Sequence, residues 1–204
     1  MPVIAVAEPI GRQRREREVL GAGVSVPAGV SLRRLRPHED GRGVFAEIFR
    51  GEWDVGCHPV QWNVVHSRPN VLRGVHVHAM HIDYLMPVSG ILLLGLHDLR
   101  ESSATAGQST LIEIEGARPQ AVTIPPGVCH GFYYPVETTH IYAMSEYWDP
   151  DEEIGCRFDC PQLRLDWPAR DPILSERDAA AGTYEEMRTA FRKRWDELYP
   201  GVPC

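Results

Sequence analysis

From Leu32 to about Pro168 the chain breaks into short apolar or alternating runs, divided again and again by turn-forming residues. The dividers are Gly41-Arg42-Gly43, Pro69-Asn70, Ser89-Gly90, Gly116-Ala117-Arg118-Pro119 and Pro125-Pro126-Gly127. Between them lie residues 44–49, 61–66, 71–78, 84–88, 91–96, 110–115, 120–124 and 140–146. Runs this short are marginal as helices, which need several turns to offset nucleation. As strands they suffice, and many short strands with regular turn signals predict an all-β sandwich or barrel. No helical stretches alternate with them, which excludes a parallel α/β sheet.

The C-terminus follows a different period. Thr183 and Glu186 have capping-box spacing, and Met187, Phe191, Trp195 and Leu198 follow on one helical stripe with charged residues between them. One amphipathic helix is expected, its stripe packed on the β domain or on a partner subunit. The organisation is then an N-terminal extension over residues 1–30, a β domain over 31–178, and a helix with tail over 179–204. A chain of 204 residues is large enough for one full core.

The net charge of −7 argues against a nucleic acid or an anionic membrane as partner, since both demand clustered positive charge. The Arg-rich stretch at 12–18 is interleaved with Glu and reads as a solvated extension. No run approaches 18 apolar residues and no signal-peptide core precedes Arg12, so a cytoplasmic location is expected. Five scattered cysteines, an odd number, predict free thiols rather than a disulfide framework. Cys156 and Cys160, four apart, do not form a zinc knuckle.

The chemistry concentrates in Arg73-Gly74-Val75-His76-Val77-His78, in Asp83, and in Pro125-Pro126-Gly127-Val128-Cys129-His130. On a strand, residues two apart share a face, so Gly74, His76 and His78 point the same way. If that way is inward, two imidazoles enter a cavity, and the turn before His130 brings a third toward them.

Two resemblances attach to these residues. His76-x-His78, four residues, Asp83, six residues and Gly90, then Pro125-x-Gly127-x2-His130, resembles the two-part signature of cupins, with Asp in place of Glu. The signature's upstream Gly and closing Asn are absent. The resemblance implies a jelly-roll β-barrel with His76, His78, Asp83 and His130 as ligands of a divalent transition metal. That donor set suits Fe, Mn, Ni, Zn or Cu.

The second resemblance covers residues 32 to 178 and is to the dTDP-4-dehydrorhamnose 3,5-epimerase family, itself of cupin fold. It rests on Asp40-Gly41-Arg42-Gly43-Val44-Phe45-Ala46-Glu47, Gln61-Trp62-Asn63, the Arg73–His76 run and Ile124-Pro125-Pro126-Gly127-Val128-Cys129-His130-Gly131-Phe132. It continues through Tyr142, the stretch from Glu146 to Arg157, Leu165-Asp166-Trp167-Pro168 and Ile173-Leu174-Ser175-Glu176-Arg177-Asp178. Such enzymes act on a dTDP-linked 4-keto-6-deoxy sugar, whose C3 and C5 protons are acidified by the ketone. The resemblance implies His76 as the base, Asp178 as the carboxylate that orients it, and Tyr142 as the acid. It implies Arg42, Glu47, Gln61, Asn63, Arg73 and Trp148 as substrate contacts, no cofactor, and a homodimer.

Two positions depart from the family. It usually carries Gln at the place of His78 and Lys at the place of Asp83. That Lys is associated with negative charge developing on the C4 oxygen, and losing such a donor costs roughly 10²–10³ in rate. Three readings stand at this point. One is a metal-free epimerase of C3, C5 or both. Another is a metal cupin in which His76 is a ligand and Tyr142 or His81 the base. The third is a sugar-nucleotide binding protein without catalysis.

Overall fold

A computed structural model describes residues 24–204; the Arg-rich stretch at 12–18 lies outside them. In chain order the strands are β1 Ser31–Arg34, β2 Pro37–Asp40, β3 Gly43–Ala46, β4 Gln61–Ser67, β5 Val71–Val77 and β6 Asp83–Ser89. They continue as β7 Ile91–Asp98, β8 Ser109–Glu115, β9 Gln120–Ile124, β10 Val128–Tyr134, β11 Thr138–Met144 and β12 Ile154–Gly155. Two helices follow, α1 Glu176–Ala179 and α2 Tyr184–Leu198.

Ten strands form two five-stranded sheets, ordered β1-β9-β6-β11-β4 and β12-β5-β10-β7-β8, with antiparallel pairing throughout. The all-β expectation holds. The strands form two sheets that share a core rather than one closed ring. Among the described residues β2 and β3 pair only with each other, as a separate hairpin. Among the described residues no helix is long and apolar enough to cross a membrane.

Three apolar clusters hold the layers together. The first lies between the sheets, where Leu85, Val122 and Ile124 of one meet Leu94, Leu96, Ile114 and Tyr134 of the other. The second covers the outer face of β5 and β10, where Val75, Val77 and Cys129 pack against Met187 and Phe191 of α2. Burial of two such side chains contributes roughly 1.5–3 kcal/mol each, so the helical stripe docks on the β domain. Its capping box forms as expected between Thr183 and Glu186. In the third, Ile48, Phe49 and Trp53 cover Tyr84, Met86 and Ala143 on the outer face of the other sheet. All five cysteines are free.

The boundaries shift where packing overrides pattern. The run at 44–49 leaves strand geometry after Ala46, because Ile48 and Phe49 turn onto the core. β10 has no clean alternation: it carries Cys129, His130 and Gly131 and is buried on both faces, so polarity gives no period-2 signal. Ser25 and Ala28, at the start of the described chain, are hydrogen-bonded to Thr105, Gln108 and Thr110 around the β7–β8 connection.

Candidate active site

The inner face of the sandwich has two ends. One is the apolar cluster above. The other gathers His76, His78, Asp83, His130, Tyr142, Asn63 and Gln61, and three local features build it.

The first is a bulge. On β10, His130 pairs with His76 and Phe132 pairs with Arg73, so β5 uses three residues where β10 uses two. Directly paired side chains project on the same side, so Arg73 and His76 share the inner face although they are three apart. Gly74, at φ +105°, makes the bulge: a Cβ there would lie 2.9 Å from the His130 carbonyl oxygen and 3.0 Å from Gly131 Cα. The Gly of Arg-Gly-x-His therefore has a steric reason.

The second is a clasp at the start of β5. Asn70 adopts φ +62°, which Asn tolerates, and its amide donates to the carbonyls of Arg170 and Asp171. Ile173 then bridges to Val71 in parallel register. The chain continues into α1, capped by Ser175, and Asp178 arrives beside His76 across 102 residues of sequence. Third, Gly155 of β12 pairs with His76, where a Cβ would meet the imidazole at 2.9 Å. This close approach delivers Glu153.

His76 Nε2 lies 2.7 Å from Asp178 Oδ1, and Nδ1 lies 3.6 Å from Glu153 Oε2. Arg177 Nη2 stands 3.3 Å from the same Nε2. One nitrogen cannot donate to a carboxylate and accept from a guanidinium together. The shorter, charge-assisted Asp178 contact decides it, so Nε2 carries the proton and Nδ1 keeps its lone pair. Burial alone would raise the Asp178 carboxyl, but hydrogen bonds from His76, Ser175 and the Gly74 amide hold it below the ordinary range. Glu153 is fixed by Arg177 at 3.2 Å and by the Trp148 indole at 2.9 Å, while the Trp148 amide donates to Gln61.

Beyond His76 lies a second group. His78 Nε2 and His130 Nε2 lie 3.9 and 3.7 Å from Asp83 Oδ2, and His81 Nε2 lies 3.7 Å from Asp83 Oδ1. None of these contacts is within hydrogen-bonding distance. Burial, then the charge of Glu153, pushes the Asp83 carboxyl up to about 8. Burial, with neighbouring imidazoles, pushes His130 down to about 3, and burial alone takes His81 to about 4. His78 is driven well below the usual range, by burial first and then by His130, His81 and His76, although its Nδ1 meets the Glu152 carbonyl at 3.3 Å. Of the four residues the cupin signature implies as ligands, three bring donor atoms within 4.8 Å of one another: His78, Asp83 and His130. His76 is not in that group.

Tyr142 lies on β11 opposite Leu85 and Asn63. Its phenol is raised by burial and by the charges of Asp83 and Glu153, against Arg73 and Arg177, which places it in the field of both groups. Gln61 donates to Asn63 at 3.0 Å on the same inner face. Arg73 is exposed at the mouth and donates to Ser67. Two expected contacts lie apart. Arg42 sits at the β2–β3 turn, paired with Asp40, and Glu47 pairs with Arg50. The sequence reading missed Glu153 and Arg177 as site residues, although both lie inside stretches it singled out.

The model of the dTDP-4-dehydrorhamnose 3,5-epimerase family matches residues 26–186. The dTDP-4-dehydrorhamnose 3,5-epimerase of Mycobacterium tuberculosis is 31% identical over 173 residues, covering 78% of this chain and 86% of that protein. Among solved structures, a 3'-monoepimerase from Streptomyces bikiniensis in complex with dTDP-quinovose superposes with a TM-score of 0.73 at 29% identity, covering 83% of this chain and 89% of the other. A dTDP-6-deoxy-D-glucose-3,5-epimerase from Legionella pneumophila in complex with dTDP-4-keto-L-rhamnose gives 0.71 at 27% identity, covering 78% and 90%. The match spans both sheets, the His76–Asp178 pair and the start of α2, and the chain belongs to the dTDP-4-dehydrorhamnose 3,5-epimerase family.

Proposed function

We propose that this chain epimerises a dTDP-linked 4-keto-6-deoxy sugar at a carbon next to the ketone, with His76 as base, Asp178 as its orienting partner and Tyr142 as acid. The observation that carries the proposal is the 2.7 Å contact between His76 Nε2 and Asp178 Oδ1. Asp178 accepts a hydrogen bond from Nε2–H, fixes the tautomer and stabilises the imidazolium, as a carboxylate does for a catalytic histidine. Nδ1 takes the C–H proton, and the bonding pair delocalises onto the ketone oxygen as an enolate. Tyr142, raised by burial and so protonated at neutral pH, returns a proton to the opposite face of the carbon. Both half-reactions are proton transfers, so no redox cofactor is required.

Arg73, exposed at the mouth, offers a forked cation to the diphosphate. Gln61 and Asn63 face the sugar, and Trp148, half exposed, offers a ring to the base. Arg42 lies at the turn of a hairpin, and Glu47 just beyond its end, and the hairpin's Val44 and Phe45 are 65% and 64% exposed. We take that hairpin to pack on a second copy in a homodimer, which would bring Arg42 to a nucleotide. Five free thiols accord with a reducing, cytoplasmic location.

The test is solvent exchange. In D₂O with dTDP-4-keto-6-deoxyglucose, wild-type protein incorporates deuterium at C3, C5 or both. His76→Asn, checked for its fold, loses that incorporation by roughly 10³-fold or more. If wild-type protein binds the sugar nucleotide with no exchange, it is a binding protein and the proposal fails.

A further inference from the structure

The buried group beside His76 has no counterpart in the proton-transfer scheme. Asp83 is 5% exposed, and among the described residues no donor comes within hydrogen-bonding distance of its carboxylate. A buried carboxylate without a partner is costly. His81 is 3% exposed and its Nε2, facing the same carboxylate, has no hydrogen-bond partner. Two further imidazole nitrogens, from His78 and His130, converge on Asp83 Oδ2. Three imidazole nitrogens therefore converge on one carboxyl group without hydrogen-bonding to it, and one of them, His81 Nε2, is fully enclosed and unpartnered.

We propose that His78, Asp83 and His130 bind a first-row divalent cation beside His76 and not through it. With ligand bonds of about 2.1 Å, donors around an ion stand about 3.0 Å apart at right angles and about 4.2 Å apart in line. The separations of 3.7 and 3.9 Å to Asp83 fall inside that range. Two imidazoles and one carboxylate suit Mn, Fe, Co, Ni or Zn and leave positions open. The outer nitrogens are already oriented: His78 Nδ1 meets the Glu152 carbonyl and His130 Nδ1 the Val128 carbonyl, each at 3.3 Å. Such contacts fix the metal-facing nitrogen. His76 is kept out by Asp178, which holds its Nε2. The chain thus has room for a base and a cation side by side. When bound, such an ion polarises a carbonyl oxygen placed against it. That consequence rests on the epimerase reading; the binding does not.

The experiment measures metal in untagged protein, purified from cells supplied with Mn, Fe, Co, Ni and Zn and then dialysed. Wild-type protein is expected to keep about one equivalent per chain, and Asp83→Asn less than about a tenth of that. His76→Asn is expected to keep its metal. Chelator-stripped protein titrated with Co²⁺ is expected to develop saturable visible absorption and a raised Tm; this arm decides the matter if Asp83→Asn does not fold. Wild-type protein that retains under about a tenth of an equivalent and shows no saturable Co²⁺ spectrum overturns the site. Loss of metal from folded His76→Asn overturns the claim that His76 stands apart. Exchange in D₂O is scored separately: metal without exchange sinks the epimerase reading alone, and exchange without metal sinks this site alone.

Discussion

Two neighbouring groups of histidines live in opposite electrostatic settings. His76, at the β5–α1 side, has a carboxylate facing each ring nitrogen and an arginine alongside. His78, His81, His130 and His140 lie deeper, and burial drives all four toward the neutral imidazole. A base that must carry a proton for part of each cycle needs a partner for its charged form. A ligand or a core histidine needs the neutral form. The fold supplies both from one stretch of chain, since His76 and His78 are two residues apart.

The sharpest way to break that contrast is to remove the partner and keep its shape. Asp178→Asn leaves a side chain of the same size beside Nε2, but one that can present an N–H donor. The imidazole then holds its proton on Nδ1, and the lone pair needed for abstraction is gone. The expected loss is roughly 10³–10⁴ in solvent exchange, with no change in metal content. Exchange within threefold of wild type would show that Asp178 is only a structural cap.

The deeper group is probed by acid. His140 sits among Phe132, Tyr134 and Tyr142, its Nδ1 3.1 Å from the Tyr134 hydroxyl, and among the described residues no carboxylate lies against its ring. Burial, then the charge of Arg73, lowers it to about 4 from 6.5. The folded value lies below the unfolded one, so its contribution is fully present above pH 6.5. It is lost as pH falls toward 4, while the unfolded chain takes up a proton that the folded chain refuses. One such group is worth about 3 kcal/mol over that interval. Denaturant melts at pH 7 and pH 4 should show the acid loss shrinking by about that amount in His140→Gln. An undiminished loss would assign it to other groups.

How much of this the sequence discloses depends on the range of the interaction. Turn residues and alternation act locally, so β4 to β9 are legible almost to their ends. β10 is not, because a strand buried on both faces has no polar side to mark its period. The His76-x-His78 spacing places both rings near His130, as the two-residue period requires. That His76 leaves the Asp83 group is invisible in the spacing, because it follows from Asp178, 102 residues away, held there by the Asn70 clasp. Glu153 and Arg177 escaped for the same reason: each is an ordinary surface type until β12 and α1 bring it against His76.

The bulge joins the two histidine settings, and it rests on one residue. A regular β5 would put Arg73 and His76 on opposite faces, three positions being an odd step on a strand. Gly74 at φ +105° absorbs the extra residue, with the His130 carbonyl and Gly131 Cα packed against the place a Cβ would occupy. Gly74→Ala should cost about 2 kcal/mol of stability, from a backbone conformation that L residues rarely adopt together with the close contact. It should also lower exchange by moving His76 relative to Asp178. His78 lies beyond the end of β5 and its Nδ1 is anchored by Glu152, so the variant should retain its metal. If Gly74→Ala lost metal and exchange in parallel, the two histidine groups would be one unit, and the separation drawn between them would be wrong.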